Sequence, residues 1–403
     1  MLPHSICSLV APETACVQHK ANTPEVGCTL RSLSHNLALL PGRGVVETEW
    51  RMSPAPGPQV PKLGRQIENR PFNVMLIPFP YVIHGESFGV SRQPEVGADG
   101  YFCVQQTWLF GQDHTVSAIE LAQFVIDLLT SARKNFSSID AIVFPEASLT
   151  PSLINDLAVI IARFDHSLEF VIGGVLDNYS KTNEACVIVL DGGEVVDTYA
   201  QRKHHRWKLD EAQITNYHLG HALHPKNQYW EDIDLWGRKV HFSVSKGDAV
   251  ITALVCEDLA RADPVMPALA SIGPNLIFAL LMDGPQLIGR WSSRHATSLA
   301  DDPGAAILTF TCLGMVLRSK APGKPLPGSS GRRCIALWRQ PGGDAHEIDL
   351  PPGAHAMVLS LSPFHKTQVA LDLREDGCVA QRYTVSSAQA ISAHTTPPWL
   401  EIL

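Results

Sequence analysis

No apolar run in this chain approaches the ~18 uninterrupted residues that a membrane-crossing helix requires, so a soluble protein is expected. Charged residues make up only 18% against 45% apolar. That balance excludes a wholly disordered, collagen-like or coiled-coil protein. There is no excess of basic charge: 32 Lys and Arg face 40 Asp and Glu, a net charge of −8, which argues against general affinity for nucleic acid or anionic membranes. The nine cysteines, at 7, 16, 28, 103, 186, 256, 312, 334 and 378, form no CxxC pair and are odd in number. They fit neither a disulfide framework nor a zinc ribbon. The N-terminal MLPHSICSLVAPE has no basic leader, and its short apolar run is cut by Ser, Pro and Glu. A reducing, cytoplasmic setting follows as the expectation, in which one thiol can stay free to react.

What is there alternates. After a stretch rich in Pro, Ser, Thr and Gly, including SPAPGPQVPKLG from Ser53, the character changes at Phe72 to the apolar NVMLIPFP. Residues 1–70 therefore read as a loosely structured extension or linker, and the folded domain as 71–375. A tail over 376–403 could pack on the domain or on a partner subunit. Apolar positions from Val116 to Leu129 recur at helical spacing and lead into the strand AIVF at 141–144, which ends on Pro145 and Glu146. A second helix over 152–164 returns to the strand FVIGGVLD, giving a β-α-β rhythm. ACVIVLDGGEVVDTYAQRK then forms a hairpin with its turn at Asp191-Gly192-Gly193. Further strands are HFSVS, AVITALV, NLIFALLM, AAILTFTC, CIALWRQ and AMVLSLS, with helices over 264–272 and 291–302. No repeat of 20–50 residues accompanies this alternation.

Rigid strands position what their ends expose. Three strand ends carry reactive types: Glu146 after VFP, Lys203 after TYAQR, and Cys256 after ITALV. A thiol is only a few per cent ionised near neutral pH, so it needs a carboxylate to take its proton or a cation to stabilise the thiolate. When it adds to an amide or nitrile carbon, the developing charge needs a fixed donor. Each residue also has a plainer reading. Cys256 could be a buried structural thiol, Glu146 a helix-capping acid, and Lys203 a surface cation with Lys208 competing for its role. His204, His205, His218, His221 and His224 could form a metal site or a polar loop. Arg202, Lys203, Arg206 and Lys208 could attract an acidic substrate.

Taken in order, VFPE at 143–146, Asn183-Glu184-Ala185 before the hairpin, RKHH at 202–205, Glu211 and VCED at 255–258 resemble the carbon–nitrogen hydrolases of the nitrilase superfamily. The segment from Trp291 through TFTCLG and the loop GSSG at 328–331 extend the resemblance over about 72–375. It implies a four-layer αββα sandwich and a catalytic triad of Glu146, Lys203 and Cys256, with Glu211 as a supporting acid. No metal or other cofactor is expected. His205, Trp207, Met282 and Trp291 are candidates to line the pocket, with Arg294 beside them. The implied activity is hydrolysis of a small amide or nitrile through a cysteine thioester. The alternatives are acyl transfer from the same intermediate, or a binding or assembly module without catalysis. A homo-oligomer is a further expectation from the resemblance. Gln201, where the family usually has tyrosine, and LLMDGPQL at 280–287 depart from the pattern and leave the substrate open.

Overall fold

The computed structural model describes residues 15–21, 37–41, 46–52, 70–93, 99–111, 114–319, 332–367 and 379–400. Two seven-stranded sheets dominate it. In the first, the strands run in the order Glu194–Arg202, Thr182–Asp191, Phe170–Asp177, Ala141–Leu149, Phe72–Leu76, Ala356–Thr367, Val379–Ile391. In the second the order is Ala345–Asp349, Cys334–Arg339, Ala306–Thr311, Leu276–Leu281, Val250–Val255, Lys239–Val244, Glu47–Met52. The parallel strands at each centre are buried along their whole length and mostly apolar, because both of their faces are covered.

Each sheet carries helices on its outer side. Ala118–Ala132 starts where Ser117 and Glu120 cap one another reciprocally, and Pro151–Phe164 starts at Thr150 with Pro151 preset for a first helical turn. These two pack together over the first sheet, while Met266–Ile272 and Trp291–Asp301 cover the second. The inner faces meet through Ala141–Leu149 against Leu276–Leu281 and Thr182–Asp191 against Val250–Val255. The layering is helix, sheet, sheet, helix, the αββα sandwich that the resemblance implied. A four-stranded sheet of Lys208–Leu209, Tyr229–Glu231, Gly100–Val104 and Phe88–Arg92 stands beside it. Among the described residues no helix is long and apolar enough to cross a membrane.

Two boundaries expected from sequence move. Residues 1–70 do not all lie outside the domain: Glu47–Met52 pairs in parallel with Lys239–Val244 as an edge strand of the second sheet, and Trp50 is buried against Phe242. Ala15–His19 and Leu37–Pro41 form a separate antiparallel pair whose Leu40 joins the same core. At the other end, Val379–Ile391 is an edge strand of the first sheet, paired along its length with Ala356–Thr367. The Pro-rich segment at 53–64, the GSSG loop and the first 14 residues lie outside the described residues.

Candidate active site

The three reactive residues come to one end of the sandwich, two from one sheet and one from the other. Glu146 lies within Ala141–Leu149, Lys203 directly follows Glu194–Arg202, and Cys256 directly follows Val250–Val255. The strand bearing Glu146 does not stop at Pro145 as the sequence suggested. It bulges: Phe144 pairs with Gly173 and Leu149 with Val175, so residues 145–148 stand out of register. A bulge of this kind re-aims a side chain that regular alternation would turn elsewhere.

Gly174 makes the bulge possible. A Cβ there would sit 2.3 Å from Glu146 Cα and 2.4 Å from Pro145 O. Gly174→Ala is therefore expected to cost about 1–3 kcal/mol or more by overpacking. The strand would have to shift, moving Glu146 with it. A thermal melt within a degree of the wild type would contradict this.

The polar centre is almost wholly buried. Lys203 is 0% exposed and Glu146 2%. Lys203 Nζ donates to Glu146 Oε1 at 2.8 Å and to Glu231 Oε2 at 2.7 Å. Asn183 Nδ2 donates to Glu146 Oε1 and to Glu231 Oε1, both at 2.8 Å. That double donation fixes the orientation of the Asn183 amide. Trp207 N completes the shell of Glu231 Oε2 at 3.0 Å. Glu231 is thus bonded through both oxygens. Glu146 is not: its Oε2 is buried and has no hydrogen-bond partner among the described residues, nor has Asn183 Oδ1.

Charge and burial compete here. Burial pushes the Glu146 carboxyl above its ordinary value, with Lys203 opposing and Glu231 adding to the rise. Burial disfavours the Lys203 ammonium, yet Glu146 and Glu231 outweigh it and hold the group well above its ordinary value. The Cys256 thiol is pushed well up by burial and by the Glu146 charge, with Lys203 pulling the other way. The site thus combines a thiol that holds its proton tightly, a carboxyl made more basic by burial, and an ammonium held charged by two acids. Cys256 is 4% exposed and adopts φ 45°, a left-handed conformation that non-glycine residues rarely take, at the turn from strand into the short helix Cys256–Leu259.

Glu211 is a correction. It sits exposed in the first turn of the helix Glu211–Asn216, away from Lys203. The second carboxylate at the lysine is Glu231, twenty residues further on in Tyr229–Glu231. Lys208 is also elsewhere, paired with Asp99 at 3.2 Å. Trp207 and Met282 share a buried cluster with Ala147, next to Glu146, and with Cys312. Trp291 donates Nε1 to Asp283 Oδ2 at 2.9 Å. Asp283 also accepts from Tyr217 Oη and, at 2.7 Å, from Arg290 Nη2, and its charge acts on the Cys256 thiol. Sequence reading passed over Asp283, Tyr217 and Arg290. The one available signal was the unusual LLMDGPQL. His205 turns to Asp258, with Nδ1 at 3.0 Å from Oδ1, and the His204 amide donates to both oxygens of that carboxylate. Among the described residues no group of three or more His, Cys, Asp or Glu side chains is arranged to hold a metal ion.

At the level of sequence, no protein-family model matches the chain and no curated protein does. Its structure is similar to solved structures of the nitrilase superfamily. One is Nit3 of Saccharomyces cerevisiae, a member of branch 10 of that superfamily, with a TM-score of 0.40, 14% identity, and 73% of this chain and 90% of that one covered. Another is an amidase of Nesterenkonia AN1, with a TM-score of 0.39, 13% identity, and 72% and 90% covered. A third is the glutamine-dependent NAD+ synthetase of Acinetobacter baumannii, with a TM-score of 0.40 and 14% identity, where 82% of this chain spans only 49% of that one.

Proposed function

We propose that the chain is a thiol hydrolase acting on a non-peptide carbon–nitrogen bond in a small amide or nitrile. The observation that carries the reading is the division of labour in the Glu146 carboxylate. Oε1 is held by Lys203 and Asn183, while Oε2 is buried and unpartnered, and the charge of the same carboxylate acts on the Cys256 thiol. A carboxylate so placed is a base with one oxygen fixed and one free to take a proton. Burial of the thiol favours a small substrate over a folded polypeptide.

In the proposed cycle the Cys256 proton passes to Glu146 Oε2 as Sγ bonds to the carbonyl carbon. The electron pair of the C=O bond moves to oxygen. Lys203 has three N–H donors, two of them engaged by carboxylates, and the third stabilises the oxyanion. Collapse breaks the C–N bond, Glu146 returns its proton to the departing nitrogen, and an acyl thioester remains. Water then attacks, losing a proton to Glu146, and the thioester yields the acid and the thiol. A nitrile enters through a thioimidate, which one water converts to the same thioester with release of ammonia.

The test is incubation of the full chain with a panel of small amides and nitriles, followed by ammonia release and intact mass. The expected result is turnover of at least one member and an acyl adduct mapped to Cys256. Undiminished ammonia release by Cys256→Ala would overturn the mechanism. Adding an amine acceptor separates hydrolysis from acyl transfer by the product formed.

A further inference from the structure

A cleft of about 610 Å³ is lined by His204 and His205, next in sequence to Lys203, but by none of the three triad residues. It is lined by Tyr101, Trp230, Arg206, Arg238 and Arg261, and its single lining carboxylate is Asp263. Three guanidiniums at one mouth run against the net charge of −8 of the chain as a whole. Their mutual repulsion is relieved by an anion, and their planar forks suit phosphate or carboxylate oxygens. Their own ties leave donors over. Arg206 gives Nη2 to Ile233 O at 2.7 Å, but its buried Nε has no partner among the described residues. Arg261 pairs with Glu257. Arg238 is exposed and forms no ion pair with any described residue.

The floor is aromatic and built by strand register. In the four-stranded sheet Lys208 pairs with Trp230, Trp230 with Tyr101, and Tyr101 with Arg92, so these residues form one row across the strands. A cation lies over one face of each ring, Lys208 Nζ over Trp230 at 4.7 Å and the Arg92 guanidinium over Tyr101 at 4.8 Å, and neither cation lines the cleft. Trp230 is further pinned by its Nε1 bond to Asp99 Oδ2 at 2.8 Å. Such a row is a ready stacking surface.

We infer that this cleft binds a small anion carrying a flat ring, of the aryl phosphate, aryl carboxylate or nucleoside phosphate class. The ring rests on Trp230 and Tyr101, and the anionic group meets Arg206, Arg238 and Arg261. His204 and His205, which also face the cleft, are both bonded to Asp258, two residues beyond Cys256. Ligand and nucleophile are thus joined through one carboxylate, although binding does not depend on the proposed reaction.

Titration calorimetry on the full chain with phenyl phosphate, adenosine monophosphate, inorganic phosphate and phenol tests the inference. Phenyl phosphate should bind saturably and more tightly than either of its halves. Arg238→Gln, at an exposed position, should weaken it about tenfold or more, the loss of a charge-assisted contact. Arg206→Gln should do the same. Trp230→Leu should weaken the ring-bearing ligands while leaving inorganic phosphate unchanged. Cys256→Ala should bind as the wild type does. Absence of binding at millimolar ligand, indifference to both arginine variants, or loss of binding in Cys256→Ala would each overturn it, the last by assigning the ligand to the triad.

Discussion

Lys203→Met is expected to destabilise the protein by about 3–5 kcal/mol, the usual penalty for removing one partner of a buried ion pair. Lys203 is wholly buried, and its two partners, Glu146 and Glu231, are buried with it. Without the ammonium, only the Asn183 amide bridges the two acids. Methionine fills much the same volume, so lost packing is a minor part of the effect. The pH dependence identifies the cause. Burial already pushes the Glu146 carboxyl above its ordinary value, and removal of the cation that opposes this raises it further. A carboxyl whose pKa is raised by folding holds its proton more tightly in the folded chain, so stability falls as pH rises through the window from its ordinary to its raised value. The deficit of the variant should therefore be largest near neutrality and narrow toward about pH 5, where Glu146 is more readily neutralised. Urea titrations of both proteins at the two pH values measure this. Equal deficits at both, or a deficit under about 1 kcal/mol, would show that the carboxylates are not held by Lys203 as argued.

The layered fold was legible because its central strands are continuous apolar runs separated by helical periods, and burial on both faces leaves that mark on the sequence. The edges were not. ETEWRM alternates polar and apolar residues and carries no signal that it joins a sheet nearly 200 positions away, which depends on its register with Lys239–Val244. Within the site, Glu146, Lys203 and Cys256 could be read because each sits on or directly after a strand that declares itself. Glu231 could not. It reaches Lys203 because Tyr229–Glu231 pairs in parallel with Gly100–Val104, a contact across more than 120 residues. Reading along the chain from the lysine met Glu211 first, but Asp210 caps the helix that begins there and turns Glu211 to solvent. Spacing finds residues held by local structure, whereas the second acid is held by tertiary pairing. The Asp283 cluster was hidden in the same way, since Tyr217 reaches it from a different element.

Glu146→Gln is expected to lower kcat/KM by about 10²–10⁴, the range for loss of a positioned general base. The replacement keeps the size of the side chain and a carbonyl oxygen to face Lys203 and Asn183, but it cannot take the Cys256 proton. On the proposed mechanism the wild type needs the carboxylate, so kcat/KM should fall as pH drops through the Glu146 value, which burial places above the ordinary 4.5. That acid limb should be absent from the Glu146→Gln profile. Glu231→Gln is the informative comparison. Glu231 meets the same lysine and asparagine, but both its oxygens are already committed, Oε1 to Asn183 and Oε2 to Lys203 and Trp207 N. It positions Lys203 and has no oxygen left for the thiol. Its variant should therefore be slower yet retain the acid limb. If Glu146→Gln kept the limb, or if Glu231→Gln lost it, the roles of the two acids would have to be exchanged, and the unpartnered Oε2 of Glu146 would need a different explanation.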